Sequence, residues 1–90
     1  MNKADLIEQI AQAAEISKSA AERSIDALVA AVKTSLRKDE TLTLVGFGTF
    51  YAGKRAARLG RNPKTGAELK ISAARLPKFR AGKALKDAIN

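Results

Sequence analysis

The sequence contains no cysteine and no histidine among its 90 residues. Without cysteine it has no disulfide and no thiolate ligand for a metal or redox centre. Without histidine it lacks the usual zinc ligands and the base of a Ser-His-Asp triad. No nucleophile has a base partner in the pattern, and the acidic residues lie mainly on predicted helix surfaces. We therefore expect neither a cofactor nor enzymatic activity.

Aromatic residues and long apolar runs are also scarce. Tryptophan is absent, aromatic residues make up 4% of the chain, and nowhere do the ~18 apolar residues of a membrane span follow one another. The opening residues, Met1-Asn2-Lys3-Ala4-Asp5, lack the apolar stretch of a signal peptide. We expect a cytosolic protein with one small domain, residues 1–90, that is only marginally stable as a lone monomer.

Acidic residues are nearly missing from the second half of the chain. Residues 1–40 hold 6 Lys and Arg against 7 Asp and Glu, a net of −1, whereas residues 41–90 hold 11 against 2, a net of +9. A surface of one sign repels itself unless a polyanion neutralises it. A basic surface that serves only solubility is the simpler interpretation, but folding does not require such segregation. The pattern therefore favours a nucleic-acid partner.

Apolar residues at helical spacing predict two helices in the first half, over residues 3–14 and 18–38. Asn2 is a candidate N-cap for the first helix, and Ser17 or Ser19 for the second. The connection between the helices is too short for anything but an antiparallel hairpin. This part of the chain, residues 1–40, is the predicted dimerisation part.

From residue 41 the apolar period changes from 3.6 to 2, which predicts a strand over 41–45. Gly46-Phe47-Gly48 marks a tight turn, and a second strand begins at 49–52. We expect Phe47 and Phe50 to pack in the core rather than to stack on bases, because no basic residue adjoins them. After Phe79 returns the chain to the core, a short helix is predicted over 83–89.

The segment 52–75, here called the arm, has too few apolar residues to form a core of its own. Asn62-Pro63-Lys64-Thr65-Gly66 is a strong turn signal, and the flanks on either side are about equal in length. We predict a protruding β-ribbon that reaches on the order of 30 Å, with its tip near Pro63. The fold class is α+β, with a helical hairpin, a three-stranded antiparallel sheet, the arm and a short C-terminal helix.

The arm carries seven basic residues against one acidic residue, Glu68. Such side chains bind phosphates and release counterions, and arginine is drawn into a narrow minor groove. Asn62 alone has an amide that could read a base, so weak sequence preference follows. The basic residues of the arm are Lys54, Arg55, Arg58, Arg61, Lys64, Lys70 and Arg75, and Lys78, Arg80, Lys83 and Lys86 extend the basic surface at its C-terminal base.

Two features of the arm leave alternatives open. Pro63 could wedge between base pairs and kink the duplex, or it could simply build the turn. Arg55, Arg58 and Arg61 are three residues apart, so in a regular strand Arg58 would face away from the other two. The spacing alone does not settle how these three side chains converge.

The pattern Gly46-Phe47-Gly48-Thr49-Phe50, Gly60-Arg61-Asn62-Pro63, Thr65-Gly66 and Gly82-Lys83-Ala84-Leu85-Lys86 resembles the bacterial HU proteins, which are related to integration host factor. The similarity covers all 90 residues. It implies an intertwined dimer, of identical subunits or with a paralogue, whose two arms embrace DNA in the nucleoid. It also implies minor-groove contacts for Arg55, Arg58, Arg61 and Asn62. Lys3, Lys83 and Lys86 match basic positions on or beside the saddle that the β-sheets of the dimer form.

What the resemblance implies for Pro63 is the wedge that kinks the duplex. Gly53 departs from the more usual pattern, in which many relatives carry Lys or Arg, and this suggests one lost phosphate contact at the root of the arm. The expected partner is double-stranded DNA. An RNA-binding or ribosome-associated protein is the alternative, and a cationic membrane-surface module is disfavoured because the arm has no apolar face.

Overall fold

The structure is a computed structural model that describes all residues from 1 to 90, and these divide into two compact units, residues 1–34 and 35–90. It confirms the predicted α+β class. The elements in chain order are α1 (Lys3–Ala14), α2 (Lys18–Arg37), β1 (Leu42–Leu44), β2 (Gly48–Arg55), β3 (Arg58–Arg61), β4 (Glu68–Ile71), β5 (Ala74–Ala81) and α3 (Lys83–Ile89). None of the helices is both long and apolar enough to cross a bilayer.

The helices begin at capped positions. Asn2 Oδ1 accepts a hydrogen bond from the amide of Asp5 at 3.0 Å, and the Asp5 carboxylate accepts one from the amide of Asn2 at 3.3 Å. This reciprocal pair satisfies two amides that the first turn of α1 leaves without partners. Of the two serines that could cap α2, Ser17 does so, because its hydroxyl accepts from the amide of Ala20 at 3.0 Å.

Strands β1, β2 and β5 form a three-stranded antiparallel sheet in that order. The β1–β2 turn needs glycine at Gly46, where φ is +84° and the amide of Phe47 donates to the carbonyl of Leu44 at 2.9 Å. Gly48 is required for a different reason: a Cβ atom there would lie 2.4 Å from the Phe79 ring. The rings of Phe47 and Phe50 both pack against Phe79, with centroids 5.3 and 4.8 Å apart. Phe47 nevertheless stays 44% exposed, so the predicted core packing is seen in the chain by itself only as ring contacts.

Beyond this sheet the arm continues as a separate two-stranded ribbon of β3 and β4. The sheet pairing of β2 with β5 runs as far as Arg55 opposite Ala74, and ribbon pairing resumes at Arg58 opposite Ile71. Residues 56–57 and 72–73 interrupt the two strands. They are three alanines and a serine, which favour strands only weakly. The sequence predicted a protruding ribbon, and the structure adds this interruption to it.

The chain by itself has almost no interior. Ala11 and Ala21 are its only buried hydrophobic residues, and no large side chain is fully buried. Leu28 and Val29 of α2 are each 45% exposed, although they belong to the apolar stripe of that helix. The second unit behaves in the same way, since Phe79 remains 42% exposed despite its ring contacts.

Candidate nucleic-acid interface

The tip of the arm is a turn built around Asn62. The amide of Asn62 donates to the carbonyl of Ala67 at 2.8 Å, and the amide of Gly66 donates to the carbonyl of Asn62 at 2.7 Å. The Asn62 side-chain oxygen accepts from the amide of Lys64 at 2.9 Å, which spans Pro63. This hydrogen bond uses one of the two lone pairs of the Asn62 oxygen and leaves its side-chain amide nitrogen without a partner in the chain. Pro63 itself is exposed at the tip.

The ribbon carries cations on both of its faces. Directly paired residues of an antiparallel ribbon point to the same side, so Arg58 shares a face with Ile71, and Arg61 shares the other face with Glu68. Lys70 lies on the Arg61 face, because it pairs with Leu59. Arg58 and Arg61 therefore do not converge on one side of the arm.

Arg55 lies where the sheet ends and spans the interruption in the arm. Its guanidinium donates to the carbonyl of Ser72 at 3.2 Å. That carbonyl belongs to a residue outside the paired strands, so the contact links the two sides of the break. Because residues 56–57 are unpaired, the strand alternation does not carry over from Arg55 to Arg58, and the register fixes the relative faces of Arg58 and Arg61 alone.

One face of the three-stranded sheet, here called the outer face, is mostly polar and basic, with Leu76 as its one large aliphatic side chain. It carries Tyr51, Arg55, Lys78 and Arg80, which the strand register places on the same side. The Arg80 guanidinium lies over the Tyr51 ring, 5.1 Å from its centroid. Such stacking holds a cation in place while leaving its charge available. Composition and spacing gave no signal that Tyr51 belongs to this basic surface.

The opposite, inner face of the sheet carries two of the predicted DNA contacts, Lys54 and Arg75, which pair directly in the register. The Lys54 ammonium lies 3.7 Å from the Asp39 carboxylate. The Arg75 guanidinium donates to the carbonyls of Leu36 and Arg37, the residues with which α2 ends. These two cations therefore already have partners within the chain. The contacts connect the root of the arm to Asp39 and to the last residues of α2.

The remaining predicted contacts lie on helices. The Lys3 ammonium donates to the Asp26 carboxylate at 2.7 Å, and this hydrogen bond, together with the negative charge of Asp26, raises the pKa of Lys3 above its ordinary value. Lys83 lies 3.6 Å from Asp87, one turn further along α3. Lys86 follows Lys83 by three residues, so the two project from neighbouring positions on one side of this helix.

Comparison with known proteins assigns the chain to a family. A family model described as bacterial DNA-binding protein matches residues 1–90. The DNA-binding protein HU of Neisseria meningitidis serogroup B is 65% identical over 99% of this chain and 100% of its own length. The HU-beta protein of Escherichia coli K12 is 59% identical over the whole of both chains. The chain belongs to the bacterial HU family of DNA-binding proteins.

Solved structures of HU proteins share the fold. The Anabaena HU–DNA cocrystal structure matches with a TM-score of 0.88 and 37% identity, covering 99% of this chain and 97% of that one. HU from Thermotoga maritima matches with a TM-score of 0.70 and 28% identity over the whole of both chains. The resemblance found in the sequence is thereby confirmed, and so is the α+β fold with its β-arm. The roles of individual DNA-contacting residues stay predictions.

Proposed function

We propose that this HU-family protein is a non-enzymatic architectural protein of the nucleoid that bends and compacts duplex DNA with weak sequence preference. Its arm lies in the minor groove, and Pro63 wedges between base pairs at the end of the arm. One observation supports the proposal most strongly: cations lie on both faces of a narrow ribbon, and a proline is exposed at its tip. The Anabaena relative, crystallised with DNA, supports the choice of ligand.

Cations on both faces suit a groove better than a flat surface. A ribbon inside a groove has one phosphate backbone on each side, so Arg58 on one face and Arg61 with Lys70 on the other can each reach phosphates. A ribbon lying flat on DNA would use only one of these faces. Arginine is also favoured in the minor groove because the negative potential is highest there.

Pro63 suits the role of a wedge because it is rigid, apolar and exposed beyond the last paired residues of the ribbon. Kinking by inserted apolar side chains is an established device of minor-groove architectural proteins, HU included. Unstacking one step costs a few kcal/mol, and bent DNA offsets this cost because it brings more phosphates within reach of the protein. The turn-building role is compatible with this one, since the Asx turn at Asn62 fixes the backbone while the ring stays free.

The predicted contacts differ in how readily each could bind a phosphate. Five cations already have an intrachain partner that DNA would have to displace or share: Lys3, Lys54, Arg55, Arg75 and Lys83. We propose the most direct phosphate contacts for cations without a hydrogen bond or ion pair within the chain, namely Arg58, Arg61, Lys64, Lys70 and Arg80. Lys86 and the paired Lys83 lie beside them.

The acting form, we propose, is a dimer, with a second copy of this chain or a close paralogue covering the exposed apolar faces. The chain leaves 7238 Å² of its surface accessible, whereas a folded monomer of its mass, 9.6 kDa, exposes about 5,100 Å². The excess is of the size that obligate interfaces bury. Two subunits would also supply two arms, and hence two wedges.

The test is gel mobility of the protein with straight, nicked and pre-kinked duplexes, together with an RNA duplex, across a salt series. We expect tighter binding to nicked or kinked DNA than to straight DNA, because the deformation cost is already met. Pro63→Ala should reduce bending, read by circular permutation or energy transfer, more than affinity. Arg58→Ala should lower affinity and reduce the salt slope by about 0.9 for each subunit bound.

Tighter binding to straight than to kinked DNA would contradict the wedge mechanism. Equal losses of bending and affinity in the Pro63 and Arg58 variants would contradict their separate roles. If the RNA duplex bound more tightly than every DNA duplex, the RNA-binding alternative would replace this function.

A further inference from the structure

Lys78 lies across the backbone of Gly53 on the outer face of the sheet. A Cβ atom built on Gly53 would be 2.7 Å from Cε of Lys78, 3.0 Å from its Cδ and 3.2 Å from its Nζ. Real Cβ atoms essentially never lie as close as 2.7 Å to another heavy atom, and the other two separations are unusually tight. The end of the Lys78 side chain therefore occupies the space that a residue-53 side chain would enter. The two residues stand diagonally on adjacent strands, because Lys78 pairs with Tyr51 and Gly53 pairs with Leu76.

This arrangement brings an ammonium group to the root of the arm. Gly53 is the third residue from the end of β2, and the sheet pairing ends two residues later at Arg55. Lys78 itself starts further back on β5, opposite Tyr51, and its alkyl chain reaches forward over the glycine. The ammonium of Lys78 on β5 thereby lies where the side chain of a charged residue 53 on β2 would lie.

The Lys78 ammonium makes no hydrogen bond or ion pair within the chain, unlike Lys54, Arg55 and Arg75 at the root of the arm. Three ion pairs are present, and they use Lys3, Lys54 and Lys83. Arg75 and Arg55 are held by backbone carbonyls. A phosphate approaching Lys78 therefore displaces no existing partner. Because the alkyl chain already lies against the Gly53 backbone, Lys78 loses less side-chain conformational entropy when it binds a phosphate.

We propose that Lys78 is a phosphate-binding residue of the DNA interface and that Gly53, having no side chain, leaves the space that Lys78 occupies. The cation at the root of the arm then comes from β5 instead of β2. This rests on the proposed DNA-bending function and adds a contact to it. It also changes the meaning of Gly53, for which the sequence suggested a lost contact. The contact is relocated, and it lies next to Arg80 stacked on Tyr51.

The test moves the lysine from residue 78 to residue 53. Salt-dependent affinity for a kinked duplex is measured for the full-length protein, for Lys78→Ala and for the double variant Gly53→Lys with Lys78→Ala. We expect Lys78→Ala to bind more weakly and to have a salt slope smaller by about 0.9 for each subunit that contacts DNA. The double variant, with its lysine on the other strand, should recover most of the affinity and slope.

Two further variants serve as references. Lys18→Ala removes the same charge from the first turn of α2 and should change the slope less than Lys78→Ala does. Arg58→Ala reports on the arm itself. Far-UV circular dichroism and thermal unfolding establish that each variant is folded, so that a loss of binding is not a loss of structure.

The outcomes separate this inference from the function on which it rests. If Lys78→Ala matches the unsubstituted protein while Arg58→Ala binds weakly, Lys78 is no phosphate contact and the DNA-bending function stands. If Lys78→Ala is weak but the double variant does not recover, the two positions do not serve the same contact, and the idea of a relocated cation is wrong. If Arg58→Ala is also unchanged and the protein binds kinked DNA no more tightly than straight DNA, the proposed DNA-bending function is itself wrong.

Discussion

The cations of this protein fall into two groups, those that already have a partner within the chain and those that face solvent alone. Lys3 belongs to the first group and Lys78 to the second, although the sequence gives both the same charge. An intrachain partner lowers the gain from a phosphate contact, because the existing interaction must be given up or shared. At the scale of single residues, binding energy is therefore set by these partners as well as by charge.

The Lys3–Asp26 pair gives a prediction for pH. Its hydrogen bond and charge raise the pKa of Lys3 from 10.5, so the protonated lysine is favoured in the folded protein. A raised pKa contributes stability that is fully present below the unfolded value and is lost as pH rises through the folded one. We expect the coupling of Lys3→Gln with Asp26→Asn, taken from a double-mutant cycle of thermal unfolding, to be favourable at pH 8. It should vanish above the raised pKa.

This coupling should also weaken with added salt, because both side chains are solvent-exposed. A coupling that is the same at pH 8 and above the raised pKa of Lys3 would contradict an ion pair between Lys3 and Asp26. The variants carry a second readout, since Asp26→Asn releases the Lys3 ammonium. If Lys3 contacts phosphate, as the resemblance suggests, this variant should bind DNA more tightly than the unsubstituted protein.

At the scale of elements, much of the fold was predictable because local patterns determine it. The period of 3.6 located both long helices, and the turn signal around Pro63 located the tip of the arm. The sequence did not predict the interruption at residues 56–57 and 72–73, because the alternation of the flanking residues is too weak to mark where pairing stops. It also could not assign Lys54 and Arg75 to the inner face, which depends on a register fixed only when the strands pair.

Arg75 should act first as an anchor for the root of the arm. Its guanidinium donates to two carbonyls at the end of α2, where intrahelical donors run out. The Leu36 carbonyl also accepts from the amide of Asp39 at 3.1 Å. We expect Arg75→Ala to lower the free energy of unfolding by about 1 kcal/mol, the scale of a partly solvated charged hydrogen bond. Amide hydrogen exchange at Lys54 and Arg55 should become faster. Chemical denaturation and exchange measured by NMR check both effects.

The matched control is Lys64→Ala at the tip, where the ammonium has no ion pair. It should leave stability unchanged while reducing the salt slope of DNA binding. If Arg75→Ala also reduced that slope by about 0.9 per subunit, Arg75 would be a phosphate contact as the sequence suggested. Unchanged stability in the Arg75 variant would contradict the anchor.

At the scale of the whole molecule, the apolar residues are sufficient in number but lack a common interior. The stripe of α2 was visible in the sequence, yet its side chains remain half exposed in the chain by itself. Small buried residues such as Ala11 and Ala21 contribute little, because hydrophobic stabilisation grows with the apolar area removed from water. The proposed second copy would cover the same surface on both chains at once.

Val29→Gln tests this dimer. Val29 is 45% exposed in the single chain, so a glutamine there would cost little in a true monomer. Buried in an interface, its amide would lack hydrogen-bond partners and destabilise the protein by roughly 1–3 kcal/mol. We expect the unsubstituted protein to sediment as a dimer with a melting temperature that rises with concentration. The variant should dissociate and melt at lower temperature.

Leu59→Gln is the matched control, because Leu59 lies on the arm and is 70% exposed. Without DNA, it should sediment and melt like the unsubstituted protein. Equal behaviour of the two variants, or a melting temperature independent of concentration in the unsubstituted protein, would show that α2 is not an interface. Because each subunit of the proposed dimer carries one arm, a variant that dissociates also loses the second arm. Val29→Gln should therefore bend DNA less at concentrations where the unsubstituted protein is still paired, even though every residue of its own arm is intact.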